Sequence, residues 1–234
     1  MRIALFSDIH GNLAGLRAVD TALKDEAPLD RVVVAGDLLQ GGPRPLDVWK
    51  VLKSSGWTLI RGNEDDALLG QRTMDNAEPE NYRRAFQAQI NWTRDRVGPN
   101  VLAELAALPT EWRIATPSGD LLVVHASPRA IDDRAGGVHN TAEEVAEAYG
   151  GTGATAIAFG HYHRSFVRPT PFALLINVAS VGLPVDKRPL AAYTVLTATS
   201  EGWIVEQRNV PYDLAEETAA AAATGLPPWV RDSE

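Results

Sequence analysis

Hydrophobic residues come in short runs along this chain, and several of the runs stop abruptly on a polar side chain. Arg2 to Ser7 is apolar through Ile3, Ala4, Leu5 and Phe6 and gives way to Asp8, the pattern of a buried strand. Asn12 then offers an N-cap for a helix with Leu13, Leu16, Val19 and Leu23 at helical spacing, closed by Pro28. Arg31 to Ala35 predicts a second strand that runs into Gly36-Asp37. Leu46 to Leu52 reads as helix, and Trp57 to Ile60 as a third strand ending at Arg61-Gly62-Asn63. Strand, helix, strand, helix, strand predicts an α/β class, with a parallel sheet and helices packed on it.

A mainly helical stretch interrupts the alternation between about 72 and 108. Tyr82, Phe86, Ile90, Thr93 and Val97 fall three or four apart, and Val101 to Leu108 continues the pattern. Strands return from Trp112 onward. Leu121 to Val124 leads into His125, and Thr155 to Phe159 leads into Gly160-His161. Leu174 to Val178 and Ala191 to Ala198 follow, with Trp203 to Val210 closing a hairpin across Ser200-Glu201-Gly202. Asp213 can cap a last helix, with Glu216 and Glu217 in its first turn and Gly225 ending it. Its alanine run has little to pack, so a peripheral helix over about 213–224 is expected. The whole reads as one domain over 1–234, with a helical insertion over about 72–108.

Composition narrows the class. A chain of 234 residues with 45% hydrophobic residues can bury a sizeable core, and its glycines and prolines are spread without a low-complexity block. The net charge of −8 argues against binding long nucleic acids. It leaves open a small phosphate ester, where cations and a few arginines reverse the sign locally. The absence of cysteine excludes disulfides, thiolate metal sites and a cysteine nucleophile. The run from Met1 to Ser7 is too short for a leader, and no apolar run is long enough to span a membrane. A soluble, cytoplasmic protein is expected, and the oligomeric state is open.

Metal-type ligands recur directly after predicted strands: Asp8 and His10, Asp37, Asn63, His125, then His161 and His163. Ligands in open α/β sheets bind beyond the carboxyl ends of strands, so these side chains would converge on one edge. Each piece alone has an ordinary explanation, as a turn, a cap or a partly buried histidine. Together they supply more oxygen and nitrogen donors than one tetrahedral cation needs, and suit two cations with one carboxylate between them.

Ser7-Asp8-Ile9-His10-Gly11-Asn12, Ala35-Gly36-Asp37, Arg61-Gly62-Asn63, His125-Ala126-Ser127-Pro128 and Gly160-His161-Tyr162-His163 resemble, in order, the signature of the calcineurin-like metallophosphoesterases. The resemblance spans residues 7 to 163. It implies a four-layer α-β-β-α sandwich with a dinuclear site at one edge. It puts Asp8, His10 and His163 on one metal, Asn63, His125 and His161 on the other, and Asp37 between them. The implied activity is metal-dependent hydrolysis of a phosphodiester or small phosphomonoester. Two cations about 3.5–4 Å apart would clamp the phosphate and generate a bridging hydroxide for attack at phosphorus. Imidazole with carboxylate suits manganese first, with iron, zinc, nickel or cobalt as alternatives. The same family includes protein serine/threonine phosphatases and scaffolds that have lost the chemistry, and these stand as the rival readings. A full set of ligands counts against the scaffold.

Many family members have a histidine after the Gly-Asn pair, where this chain has Glu64. A carboxylate beside two dications is stabilised in its charged form and makes a poor general acid, which favours diesters. Glu64 can equally be a helix-starting acid. Arg61 stands where protein-phosphatase-like members carry a phosphate-binding arginine, and the alternative is an ion pair with Glu64 or Asp65. Arg129 and Arg164 can line the rim. His139 is either a surface loop residue or a substitute acid. Five tryptophans, Trp49, Trp57, Trp92, Trp112 and Trp203, read as core, and Trp229 as an anchor for the C-terminal tail.

Overall fold

The computed structural model describes residues 1–26, 28–72 and 78–228; Trp229, read above as an anchor, and part of the helical insertion lie outside them. In chain order the first half holds β1 (Arg2–Phe6), α1 (Leu13–Asp25), β2 (Arg31–Ala35), α2 (Pro45–Ser55) and β3 (Thr58–Ile60). Two helices follow, α3 (Asn63–Leu68) and α4 (Glu80–Ala106). The second half holds β4 (Glu111–Thr116), β5 (Gly119–Val124), α5 (Ala142–Tyr149), β6 (Ala156–Phe159), β7 (Ser165–Pro169) and β8 (Leu174–Val178). β9 (Leu190–Thr199), β10 (Gly202–Pro211) and α6 (Leu214–Thr224) complete it.

The strands form two five-stranded sheets, ordered β10-β9-β1-β2-β3 and β4-β5-β6-β8-β7. β1, β2 and β3 run parallel, as do β5, β6 and β8, while β9 returns antiparallel beside β1. Side chains alternate faces along a strand, and here both faces find a core. Ile3 and Leu5 of β1 meet Leu121 and Val123 of β5 and Ala156 and Ala158 of β6 between the sheets. Ala4 and Phe6 instead pack on the other side with Leu16 and Val19 of α1, Trp49 of α2 and Ile90 of α4. Leu122, Val124, Ile157 and Phe159 pack outward against Val145 and Tyr149 of α5. Three apolar interfaces therefore separate four layers, helix, sheet, sheet and helix, which is the sandwich the motifs implied.

Local signals account for the helix ends. Asn12 caps α1 through the Gly15 N–H at 2.8 Å, and Asp213 caps α6 through the Ala215 and Glu216 N–H groups. The helical pattern after residue 80 is interrupted at Gly98, whose φ of 76° turns the chain before Pro99 restarts the helix. α6 has Glu217 as its one buried residue, so it is tied down by charge rather than by an apolar face. Glu217 accepts from the Ala14 N–H at 2.6 Å and pairs with Arg44, which also holds Glu216. No helix among the described residues is long and apolar enough to cross a membrane.

Candidate metal centre

The ligand-type residues sit just beyond the C-terminal ends of β1, β2, β3, β5 and β6, so both sheets contribute to one edge. Asp8, His10, Asp37, His161 and His163 all adopt left-handed backbone, with φ of 55°, 51°, 54°, 68° and 54°. That conformation costs a side-chain-bearing residue about 1–2 kcal/mol, and its clustering at one place marks a functional constraint. It breaks each strand sharply, so that a polar residue follows the core within two positions. The glycines of the same turns are needed for space. A Cβ on Gly62 would collide with Asp37 Oδ1, and one on Gly160 with Asp8 Oδ2.

The donor atoms converge in two groups. His163 Nε2 lies 3.1 Å and His10 Nε2 3.8 Å from Asp8 Oδ1, and the two nitrogens are 3.2 Å apart. Asn63 Oδ1 lies 2.9 Å from His125 Nε2 and 2.7 Å from His161 Nδ1. Asp37 Oδ2 stands between the groups, 3.3 Å from His125 Nε2 and 3.8 Å from His10 Nε2. Ligands about 2.0–2.2 Å from one cation lie roughly 3–3.5 Å from each other, and the separations here, from 2.7 to 3.8 Å, bracket that spacing.

Two further observations fit a cation. Asp8 Oδ1 is buried and makes no hydrogen bond among the described residues, although Asp8 Oδ2 accepts from the His161 N–H at 3.0 Å. The rings of His10, His125 and His163 each set Nδ1 against a backbone carbonyl, of Gln40, Ala35 and Leu183, at 2.8, 2.7 and 2.8 Å. That contact keeps the proton on Nδ1 and turns the Nε2 lone pair inward, the usual way a ligating imidazole is oriented.

Electrostatics says the same. Burial opposes the charged form of His10, yet contact with Asp8 and the charges of Asp37, Asp8 and Glu64 push it up to about 9. His125 is pushed up to about 10, with burial again overcome by Asp37. Burial, followed by the charge of His125, pushes His161 down to about 4. Burial also works against Asp8 and Asp37, but His163 and His125 respectively hold the two carboxyls below the usual range. Buried carboxylates that keep protons on neighbouring histidines this strongly are short of positive charge, and a divalent cation would supply it while displacing the protons.

Residues 1–201 match the family model of the calcineurin-like phosphoesterase superfamily domain. The chain belongs to the calcineurin-like phosphoesterase superfamily. An uncharacterized protein of Methanocaldococcus jannaschii is 24% identical over 97% of this chain and 95% of its own length. A metallophosphoesterase from Sphaerobacter thermophilus superposes with a TM-score of 0.72 at 24% identity, covering 97% of this chain and 95% of that one. A hypothetical protein from Pyrococcus horikoshii gives 0.81 at 17% identity, covering 97% and 94%. These likenesses establish the fold, and the family makes the protein a phosphoric ester hydrolase of a class that binds divalent metals.

The arginines and Glu64 of this phosphoesterase are disposed differently from the ligands. Arg61 donates from Nε to Asp66 at 2.6 Å and from Nη1 to the carbonyls of Ala106 and Leu108 at 3.2 and 2.9 Å. Its ion pair is with Asp66, one turn position beyond the acids anticipated, because Asp65 turns inward to accept from the Gly62 and Leu38 N–H groups. Arg129 is engaged by Asp133 and Glu147. Arg164 and His139 are exposed. Glu64 accepts from Asn63 Nδ2 at 2.9 Å, and its own N–H donates to Asp37 Oδ1 at 2.8 Å. Burial and then Asp37 push its carboxyl up to about 7 in the polypeptide itself; the depression expected above depends on cation charge added to this.

Sequence reasoning missed the brace on the other side. Ser180 Oγ donates to the Asp8 carbonyl at 2.8 Å, the Gly182 N–H donates to the same carbonyl at 2.9 Å, and Asn177 Nδ2 donates to the Gly160 carbonyl. Asn177 lies near the end of β8 and Ser180 and Gly182 just beyond it, another strand end on the same edge, and that position was the available signal. Arg72 was also missed, and no spacing marks it.

Proposed function

We propose that this phosphoesterase works through a pair of divalent cations, one held by Asp8, His10 and His163 and the other by Asn63, His125 and His161, with Asp37 shared. The observation that carries this reading is the position of Asp37 Oδ2 between His10 and His125. When bound, such a pair supplies charge to neutralise a phosphoryl group and a water acidic enough to act as nucleophile near neutral pH. Asp37 is fixed for sharing by the Glu64 N–H, which occupies its other oxygen. The backbone carbonyls behind His10, His125 and His163 keep their lone pairs turned inward. The mixture of imidazole, carboxylate and amide donors suits manganese first, then iron, zinc, nickel or cobalt.

The substrate in this reading is a small phosphodiester, or a monoester with a good leaving group. Glu64 supports it, because its Oε1 accepts from both Asn63 and Arg72, and cation charge beside it would keep the carboxyl ionised and unable to protonate a departing alkoxide. The engagement of Arg61 by Asp66 and two carbonyls weighs against a protein serine/threonine phosphatase. A chain without cysteine is at home in a reducing cytoplasm.

The test is hydrolysis of bis-p-nitrophenyl phosphate and p-nitrophenyl phosphate, side by side, with manganese and with chelator. Diester turnover that chelator abolishes is expected, together with two metal equivalents per chain. D37N should lose activity by more than about 100-fold, since even groups behind a ligand are worth about 10–100-fold. Full metal content and activity in D37N would sink the shared-carboxylate reading.

A further inference from the structure

We propose that Arg72 is the side chain that recognises the phosphoryl group of the substrate, held at the edge of the metal centre by Glu64; the inference rests on the phosphoesterase reading above. The family position for this task, Arg61, is spent on Asp66 and on two carbonyls. Arg72 is disposed differently. Its Nη1 donates to Glu64 Oε1 at 3.0 Å, and the same oxygen accepts from Asn63 Nδ2 at 2.9 Å. Two hydrogen bonds in series thus join the guanidinium to the residue whose Oδ1 faces His125 and His161.

Among the described residues this is the one hydrogen bond Arg72 makes. Asp132, on an exposed loop, stays 3.6 Å from its Nε, and the Phe86 ring lies 5.9 Å from the guanidinium carbon. A guanidinium has five N–H donors in a planar fork, and most of this one has no hydrogen-bond acceptor among the described residues and can meet a tetrahedral anion. With 20% of the side chain accessible, it can be reached from solvent. The charge balance requires such a group. Glu64 in place of a histidine puts a carboxylate beside an anionic substrate, which is repulsive. Arg72 cancels that charge and presents donors in its place. Tyr82 joins the same cluster: burial raises its hydroxyl, Glu64 adds to the effect and Arg72 opposes it.

The experiment is calorimetric binding of inorganic phosphate to the metal-loaded protein, alongside kinetics on bis-p-nitrophenyl phosphate. Arg72→Met should weaken phosphate binding and raise KM by about tenfold or more, the worth of a charge-assisted hydrogen bond, with metal content and melting temperature unchanged. Arg72→Lys should recover part of the loss, because it keeps the charge without the fork. Wild-type phosphate affinity in Arg72→Met would overturn the inference, as would loss of metal or of melting temperature in step with phosphate, since Arg72 would then serve only to hold Glu64. Failure of the wild-type protein to bind phosphate would overturn it as well. Phosphate binding that depends on Arg72 in a protein with no turnover would instead defeat the hydrolase reading and leave this one standing.

Discussion

His10 and His163 face each other nitrogen to nitrogen, their Nε2 atoms 3.2 Å apart, while the Nδ1 of each rests against a backbone carbonyl. With the Nδ1 protons committed to Gln40 and Leu183, two lone pairs point at one another. Only a proton or a cation stabilises that arrangement, and Asp8 Oδ1 completes the triangle around it.

Proton and cation therefore compete, and this gives a pH dependence with a definite sign. His10 and His125, at about 9 and about 10 in the folded chain, lie above the unfolded value of about 6.5. The folded, chelated protein binds more protons than the unfolded chain across that interval, so its stability falls as pH rises from 7 to 10. The slope is about 1.4 kcal/mol per pH unit for each extra proton. Below 7 the opposing shifts of His161 and of Glu64 and Asp65 overlap, so the alkaline side is the informative one. Thermal melts of chelated protein between pH 7 and 10 should show the decline, and metal affinity should rise over the same range. A flat melting profile would mean that the histidines are not charged against Asp8 and Asp37.

Arg61 should behave as a structural residue. Removing its guanidinium leaves Asp66 and the carbonyls of Ala106 and Leu108 without their donor, and R61M should cost about 2 kcal/mol in urea unfolding. The KM for a diester should stay within about twofold, since uniform binding is not being removed. A large rise in KM at unchanged stability would return Arg61 to the substrate.

Glu217 should be the main tie of α6, beside the Arg44–Glu216 pair and the bond from Arg96 to the Thr224 carbonyl. It is 6% exposed, receives the Ala14 N–H near the start of α1, and pairs with Arg44. E217A leaves a largely buried arginine without that partner, and should cost about 3 kcal/mol. Limited proteolysis should then open the chain within 214–224 before the sheets. An uncut α6 in this variant would show that packing, not charge, secures it.

Much of this protein was legible in the order of its residues. Strands such as Ile3 to Phe6 and Val32 to Ala35 are apolar on both faces because cores lie on both sides, and the polar residues after them announce where each strand stops. The polar residues that gather at the strand ends were readable for the same local reason. Two elements escaped. α5 did so although Thr141 and Glu144 form a readable capping box, and β7 because it is an edge strand with three of its five residues exposed and a proline at its end.

The sequence by itself determined the strand and helix alternation, the caps and the polar residues that end the strands, because each depends on neighbours a few positions away. Only the tertiary structure decided the partners of charged side chains. Glu64, Asp65 and Asp66 are consecutive, yet they face Arg72, the Gly62 and Leu38 N–H groups, and Arg61. Each helical step turns a side chain by about 100°, so three adjacent acids must point three ways. Which partner waits in each direction is set by distant segments brought alongside, as Glu217 is to Ala14. Like-charged neighbours carry no mark of that in their order, since a charge pairs with whatever opposite charge or donor the packing of the layers delivers.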